Sequence, residues 1–217
     1  MNQTLLYYKE IADFLEQQLP VKEYFCCVYG SYPAKRNTSQ SDLDLFVASE
    51  SVSEDLYRRL EKFILELSNL HGLTQDEEVP YRNKLLVSYA DVQSAVSLAQ
   101  FKSPDDGSIT VPKIEKTKEF LSSDHIRLRL IFNALTTPHN FISGNFLTYL
   151  NFKNIAEQGL QQLAIQICDG VNSDVENLVN VLMRSSDGEE GEMYLGYKNF
   201  DSIRSYLQFI LSKERGK

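Results

Sequence analysis

Two short apolar runs, joined by a polar loop, constrain the fold of this chain more than any other stretch. The first, Tyr24 to Tyr29, ends at Gly30-Ser31, and the second follows Asp42-Leu43-Asp44 directly. Alternate side chains of a β-strand share a face, so Asp42 and Asp44 are predicted on one face while Leu43 points into a core on the other. Two carboxylates this close together can bind a hard divalent cation such as Mg²⁺.

The glycine and serine after the first run suit the binding of a phosphate group. Glycine adopts positive φ and allows close approach to the backbone, whose N–H groups can then bind an anion, and the Ser31 hydroxyl adds a donor. The ordered unit of strand, Gly30-Ser31, polar loop, Asp42-x-Asp44 and strand resembles the signature of the DNA polymerase beta-like nucleotidyltransferase superfamily. The resemblance covers the chain to about Tyr89. Ordinary turn residues in water are the alternative interpretation.

The resemblance implies an α+β fold in two parts. A nucleotidyltransferase catalytic domain, with a mixed sheet flanked by helices, is expected over residues 1–112, and a helical domain over residues 113–217. From about Ile114 the pattern predicts helices only. The first carries the apolar stripe Ile126, Leu130, Ile131 and Leu135, and the others cover residues 140–150, 151–168, 173–183 and 197–211. In the first part, apolar spacing predicts helices over residues 5–15, 56–70 and 92–99 and strands over residues 73–79 and 84–89.

A third acid is implied by the same resemblance. In the superfamily, an acid from a neighbouring strand joins the Asp-x-Asp pair to hold two metal ions, which clamp the attacking and leaving oxygens of an in-line displacement. Asp42 and Asp44 would thus hold two Mg²⁺, and an acid of the 73–79 strand would complete the site and accept the attacking proton. Because alternate side chains of a strand share a face, Asp76 and Glu78 are favoured over Glu77. The sequence does not distinguish Asp76 from Glu78 as the third acid.

Basic residues close to these motifs are candidates for contacts with the triphosphate. Lys35 and Arg36 lie in the loop after Gly30-Ser31, where Arg could bind phosphate bidentately and Lys as a point charge. Lys84 begins the next predicted strand and is a candidate contact to nucleotide or substrate. Solvated surface cations are the alternative for the loop pair. Asp91 is a further candidate acid, with helix capping as its alternative.

Composition limits the partners. The 217-residue chain carries a net charge of −8, which argues against an extended nucleic-acid footprint because such proteins usually present a basic face. The three cysteines do not form a disulfide framework, and two of them, Cys26 and Cys27, are neighbours within one apolar run. The sequence lacks a secretory signal pattern and a transmembrane run, so a soluble, cytoplasmic protein without a membrane partner is expected.

The resemblance implies a magnesium-dependent enzyme that moves a nucleoside monophosphate from a nucleoside triphosphate, with ATP expected, to a hydroxyl group and releases pyrophosphate. The acidic balance would suit a cationic small-molecule acceptor. Two alternatives stay open: transfer to a protein hydroxyl, as in the nucleotidyltransferases of toxin–antitoxin pairs, and a non-catalytic member that binds nucleotide or protein. Both acids of the Asp-x-Asp pair are present, which favours catalysis. A homodimer that completes the acceptor site is also left open.

Overall fold

The computed structural model describes residues 3–33, 37–38, 41–74, 85–98 and 124–170. Along the chain the elements are helix α1 (Gln3–Gln18), strands β1 (Tyr24–Tyr29) and β2 (Asp44–Ser49), helix α2 (Glu54–His71), strand β3 (Leu86–Ser88), helices α3 (Tyr89–Val96) and α4 (Asp124–Thr136), strand β4 (His139–Gly144) and helix α5 (Phe146–Gly170). Among these helices, none combines the length and the apolar character needed to cross a membrane.

The four strands form a mixed sheet in the order β3-β2-β1-β4. Strand β1 is antiparallel to both of its neighbours, whereas β2 and β3 run parallel. With α1 and α2 packed on one face, this is the α+β arrangement with a mixed sheet flanked by helices that the sequence predicts. The predicted division at residue 113 falls outside the described residues and stays a prediction.

Side-chain alternation gives the sheet two different faces. Leu43, Leu45 and Val47 are buried in a core with residues of α1 and α2, as the alternating pattern predicts. The opposite face carries an aromatic core around Phe25, whose ring is fully buried. Its ring centroid lies 5.9–6.1 Å from those of Phe46, Tyr89, Tyr149 and Phe152.

Strand β4 corrects a prediction from the sequence. A helix is predicted over Asn140 to Leu150, but His139–Gly144 is a strand and the helix begins only at Phe146. The segment pairs with the free edge of β1 and is held there by a hydrogen bond from the Tyr24 hydroxyl to Ser143 Oγ (3.1 Å). Pairing over so long a sequence separation is a tertiary effect that overrides local helical spacing.

The ends of α2 show the capping chemistry in detail. Its N-cap is Ser53, whose hydroxyl accepts a hydrogen bond from the Leu56 backbone N–H. Gly72 ends the helix in the left-handed conformation, as its position after His71 predicts. His71 Nε2 lies 3.0 Å from Glu10 Oε2, so the end of α2 is tied to α1.

Two compact units divide the chain: Met1–Gln93 with Pro138–Lys153, and Ser94–Thr137 with Asn154–Lys217. The first contains the whole sheet. In the second, α4 buries Leu130, Ile131 and Leu135, three residues of the helical stripe that the sequence predicts. The predicted helices over residues 173–183 and 197–211 lie outside the described residues.

Cys26 and Cys27 point to opposite faces of β1 and are both buried, in agreement with structural thiols. Burial raises the pKa of both thiols, and for Cys26 the adjacent Cys27 adds to the effect. Because the thiolate is the nucleophile, both side chains should stay protonated and unreactive at pH 8. We expect iodoacetamide to label this pair at least about a hundredfold more slowly in the native protein than in guanidinium. Peptide mass spectrometry checks this, and fast native labelling would contradict it.

Candidate active site

Gly30 and Asp44 meet where β1 ends and β2 begins. Tyr29, the last residue of β1, pairs directly with Asp44, the first residue of β2. Gly30 follows with φ +82°, and a Cβ added there would collide with the Asp44 carboxylate, reaching 3.0 Å from its Cγ. Glycine therefore suits this position both by its positive φ and by the space that it leaves for the carboxylate of Asp44, a residue that is 6% exposed.

Asp42 comes two residues before Asp44, and Leu43 separates the two. Leu43, between them, is 3% exposed in the opposite core, so alternation directs both carboxylates to the other face. Asp42 also forms a parallel β-bridge with Thr74. Burial raises the pKa of Tyr32, and nearby ionisable groups, Tyr7 and then Asp42, add to the effect. The Asp42 carboxylate therefore lies close enough to Tyr32, in the loop that follows Gly30, to raise the pKa of its hydroxyl.

Ser31 carries a polar atom whose hydrogen-bonding capacity is unused within the described part of the chain. Its Oγ is buried and accepts and donates no hydrogen bond there. A buried hydroxyl without a partner is costly, so Ser31 Oγ has hydrogen-bonding capacity that a ligand or a water molecule could use. Together, the backbone at Gly30, the Ser31 hydroxyl and two carboxylates offer donors for phosphate oxygens and oxygen ligands for a hard cation.

His139 lies on the other side of β1 from Asp44. His139 begins β4 and pairs directly with Tyr29, so Asp44, Tyr29 and His139 form one row across three strands. Its Nε2 lies 2.9 Å from the Tyr149 hydroxyl of α5. Neither residue is predicted from the sequence, because the apolar spacing indicates a helix where β4 runs. The available signal is Pro138, which breaks a helix just before His139.

Asp91 has a structural role in the described residues. Its carboxylate accepts hydrogen bonds from the Ser88 backbone N–H (3.1 Å) and hydroxyl (2.8 Å), and its own N–H donates to Ser88 Oγ (3.1 Å). This reciprocal pattern is a capping box at the start of α3. The capping interpretation thus accounts for Asp91 without a metal.

Several predicted site residues lie outside the described residues, and their roles stay predictions. Within the described ranges no group of three or more His, Cys, Asp or Glu side chains could hold a metal ion. The three candidates for the third acid in the predicted 73–79 strand fall in the gap between residues 74 and 85. The residues concerned are Lys35, Arg36, Asp76, Glu77, Glu78 and Lys84.

Residues 8–89 match a family model described as a nucleotidyltransferase domain. The chain carries a nucleotidyltransferase domain. The matched range contains Gly30, Ser31 and the Asp42-x-Asp44 pair, and it supports the resemblance to the DNA polymerase beta-like superfamily. A nucleotidyltransferase domain of this kind indicates a transferase, and it implies a nucleoside triphosphate as substrate. Neither the curated proteins nor the solved structures include a match to the chain.

Proposed function

We propose that this nucleotidyltransferase moves a nucleoside monophosphate from ATP to a hydroxyl group of a small molecule, with two Mg²⁺ bound at Asp42 and Asp44. The observation that carries the proposal is the close approach of Gly30 to the buried Asp44 side chain, together with the adjacent Ser31 hydroxyl, which has no hydrogen-bond partner among the described residues. A phosphate group bound at Gly30-Ser31 would lie next to acidic oxygens, and a divalent cation bridges such groups well.

Different residues would have different roles in the displacement at the α-phosphorus. The acceptor oxygen bonds to the α-phosphorus, the bond from that phosphorus to the α–β bridging oxygen breaks, and pyrophosphate leaves with the electron pair. Gly30 and Ser31 would bind the β and γ phosphates, while Lys35, Arg36 and Lys84 are further candidates for phosphate contacts. Magnesium, when bound at the carboxylates, supplies charge neutralisation and Lewis acidity. Positioning and electrostatic complementarity provide most of the rate in such transfers.

The third acid is proposed to be Asp76 or Glu78, which would also accept the proton of the acceptor hydroxyl. Thr74 is bridged to Asp42, and the chain spans at most about 3.6 Å per residue. Asp76 is thus within about 7 Å of Thr74 along the chain and Glu78 within about 14 Å. Chain connectivity therefore supports Asp76 more strongly than Glu78.

The acceptor is proposed to be a hydroxylated, cationic small molecule, because the net charge of −8 attracts cations. The test is mass spectrometry of the products after incubation of ATP, GTP, CTP and UTP with Mg²⁺ and a pool of such compounds. A second arm supplies protein acceptors, and Asp44→Asn serves as the inactive control. A product heavier by one nucleoside monophosphate in the small-molecule arm supports the proposal. Modification only of protein redirects the acceptor, and ATP binding without any product contradicts catalysis.

Replacing Ser31 with alanine should separate stability from substrate binding. Ser31→Ala removes a buried hydroxyl without a partner, so the free energy of unfolding should stay unchanged or rise by about 1 kcal/mol. The KM for the nucleoside triphosphate should rise about three- to tenfold, because one hydrogen bond to phosphate is lost. Denaturant unfolding and steady-state kinetics measure the two effects.

Ser49→Ala is the matched control. The Ser49 hydroxyl is also buried, but it donates to the Glu23 carbonyl oxygen (3.2 Å) at the opposite end of β2. This change should lower the free energy of unfolding by about 1 kcal/mol and leave KM unchanged. A Ser31→Ala protein with the stability loss of the control and an unaltered KM would refute the phosphate role.

A further inference from the structure

A polar side chain, that of His139, flanks the proposed phosphate site on the side opposite to the carboxylates. Strand β1 is central between β2 and β4, and its end carries Gly30-Ser31. Asp44 flanks that end from β2, and His139 flanks it from β4. Directly opposed residues of antiparallel strands share a face, so both side chains belong to the face of the Tyr29 ring.

The distance across this row suits a polyphosphate. Neighbouring strands lie about 4.8 Å apart, so Asp44 and His139 are separated by about 10 Å of sheet, with the end of β1 midway. Tyr29 lies between them in the row and is 1% exposed, so a triphosphate bound at Gly30-Ser31 would lie past the end of β1, beyond the Tyr29 ring. In that position it would have carboxylates on one flank and an imidazole on the other. The first flank suits the reacting α-phosphate with its cations, and the second suits the terminal phosphates.

The imidazole has a defined place. His139 Nε2 lies 2.9 Å from the Tyr149 hydroxyl, and the two rings meet edge to face with centroids 5.7 Å apart. Tyr149 is 6% exposed and packs against Phe25, so α5 anchors the pair to the aromatic core. A ring fixed this way loses little conformational entropy when it binds a ligand.

We propose that His139 binds the leaving pyrophosphate, with Tyr149 positioning its ring. This inference rests on the proposed function and adds a substrate-binding residue to it. His139 donates a ring N–H to a β- or γ-phosphate oxygen, both in the bound triphosphate and after the bond from the α-phosphorus to the bridging oxygen has broken. No proton is transferred: the electron pair stays on the pyrophosphate oxygen, and the acceptor proton leaves on the carboxylate side.

The test is calorimetric titration of the full chain with pyrophosphate in the presence of Mg²⁺. His139→Gln should weaken pyrophosphate binding roughly tenfold, because one hydrogen bond to a charged group is lost. Adenosine monophosphate, which lacks the β and γ phosphates, should bind both proteins equally. In turnover assays, product inhibition by pyrophosphate should weaken by the same factor.

Asn140→Ala is the matched control. Asn140 is the next residue of β4, but its side chain is on the other face and donates to the Tyr8 hydroxyl (3.3 Å), so pyrophosphate binding should not change. Tyr149→Phe keeps the ring in the aromatic core and should weaken pyrophosphate binding less than His139→Gln. If His139→Gln does not fold, pyrophosphate binding by Tyr149→Phe tests the proposal in its place.

The outcomes separate this inference from the proposed function. If a folded His139→Gln, or Tyr149→Phe in its place, binds pyrophosphate like the wild type while Asp44→Asn loses binding, the inference is overturned and the proposed function stands. If the wild type does not bind pyrophosphate in an Asp44-dependent way, the proposed function fails and the inference fails with it.

Discussion

Asp44→Asn is expected to abolish Mg²⁺-dependent pyrophosphate release while the protein stays folded. The substitution preserves side-chain shape but removes the charge that would hold a cation beside the α-phosphate, an effect worth several kcal/mol in the transition state. We expect turnover to fall about a thousandfold or more, which corresponds to about 4 kcal/mol. A coupled pyrophosphate assay measures the loss, and Asp42→Asn should behave in the same way.

The folded state should tolerate this change well. Asp44 is 6% exposed, and burial penalises a charged carboxylate, so neutralising it relieves desolvation. The melting temperature should therefore shift by only a few degrees. Asp13→Asn, which breaks an exposed ion pair with Lys9, is the control that should leave turnover unchanged. Wild-type turnover in both Asp42→Asn and Asp44→Asn would remove the metal assignment.

Gly30→Ala should disable the enzyme by a steric route. The residue has φ +82°, which is unfavourable for alanine by about 1–2 kcal/mol, and the new methyl group would occupy the position of the Asp44 carboxylate. The carboxylate must then rotate away or the end of β1 must shift. A displacement of about 1 Å at a reacting group can cost about a hundredfold in rate, so we expect at least that loss of turnover together with lower stability.

Gly72→Ala separates the backbone cost of a positive φ from the effect of the clash with Asp44. Gly72 has a similar φ of +65°, but within the described residues no atom apart from its chain neighbours lies within 4 Å of the position of the added Cβ. It should therefore show the backbone cost of about 1–2 kcal/mol alone, with normal turnover. Denaturant unfolding and pyrophosphate release on both variants make the comparison. If Gly30→Ala retained the turnover of Gly72→Ala, the contact with Asp44 would have no role in catalysis.

Local sequence determined the part of this protein that lies within one strand–loop–strand unit. Alternation around Leu43 predicts which face carries Asp42 and Asp44, and the aligned burial of Leu45 and Val47 confirms it. Such features depend on the two-residue period of a strand and on the steric freedom of glycine, both of which are properties of neighbouring residues. The mixed sheet flanked by helices was implied by the family that this unit resembles.

Only the tertiary structure decided that residues 139–144 complete the sheet. Phe141 and Ile142 are apolar residues that suit a helix or a strand, and the choice depends on the open edge of β1, more than a hundred residues earlier in the chain. That pairing brings His139 level with Asp44, and packing alone leaves the Ser31 hydroxyl buried without a partner in the described structure. No local pattern records either fact, because both arise from contacts between segments that are distant in sequence.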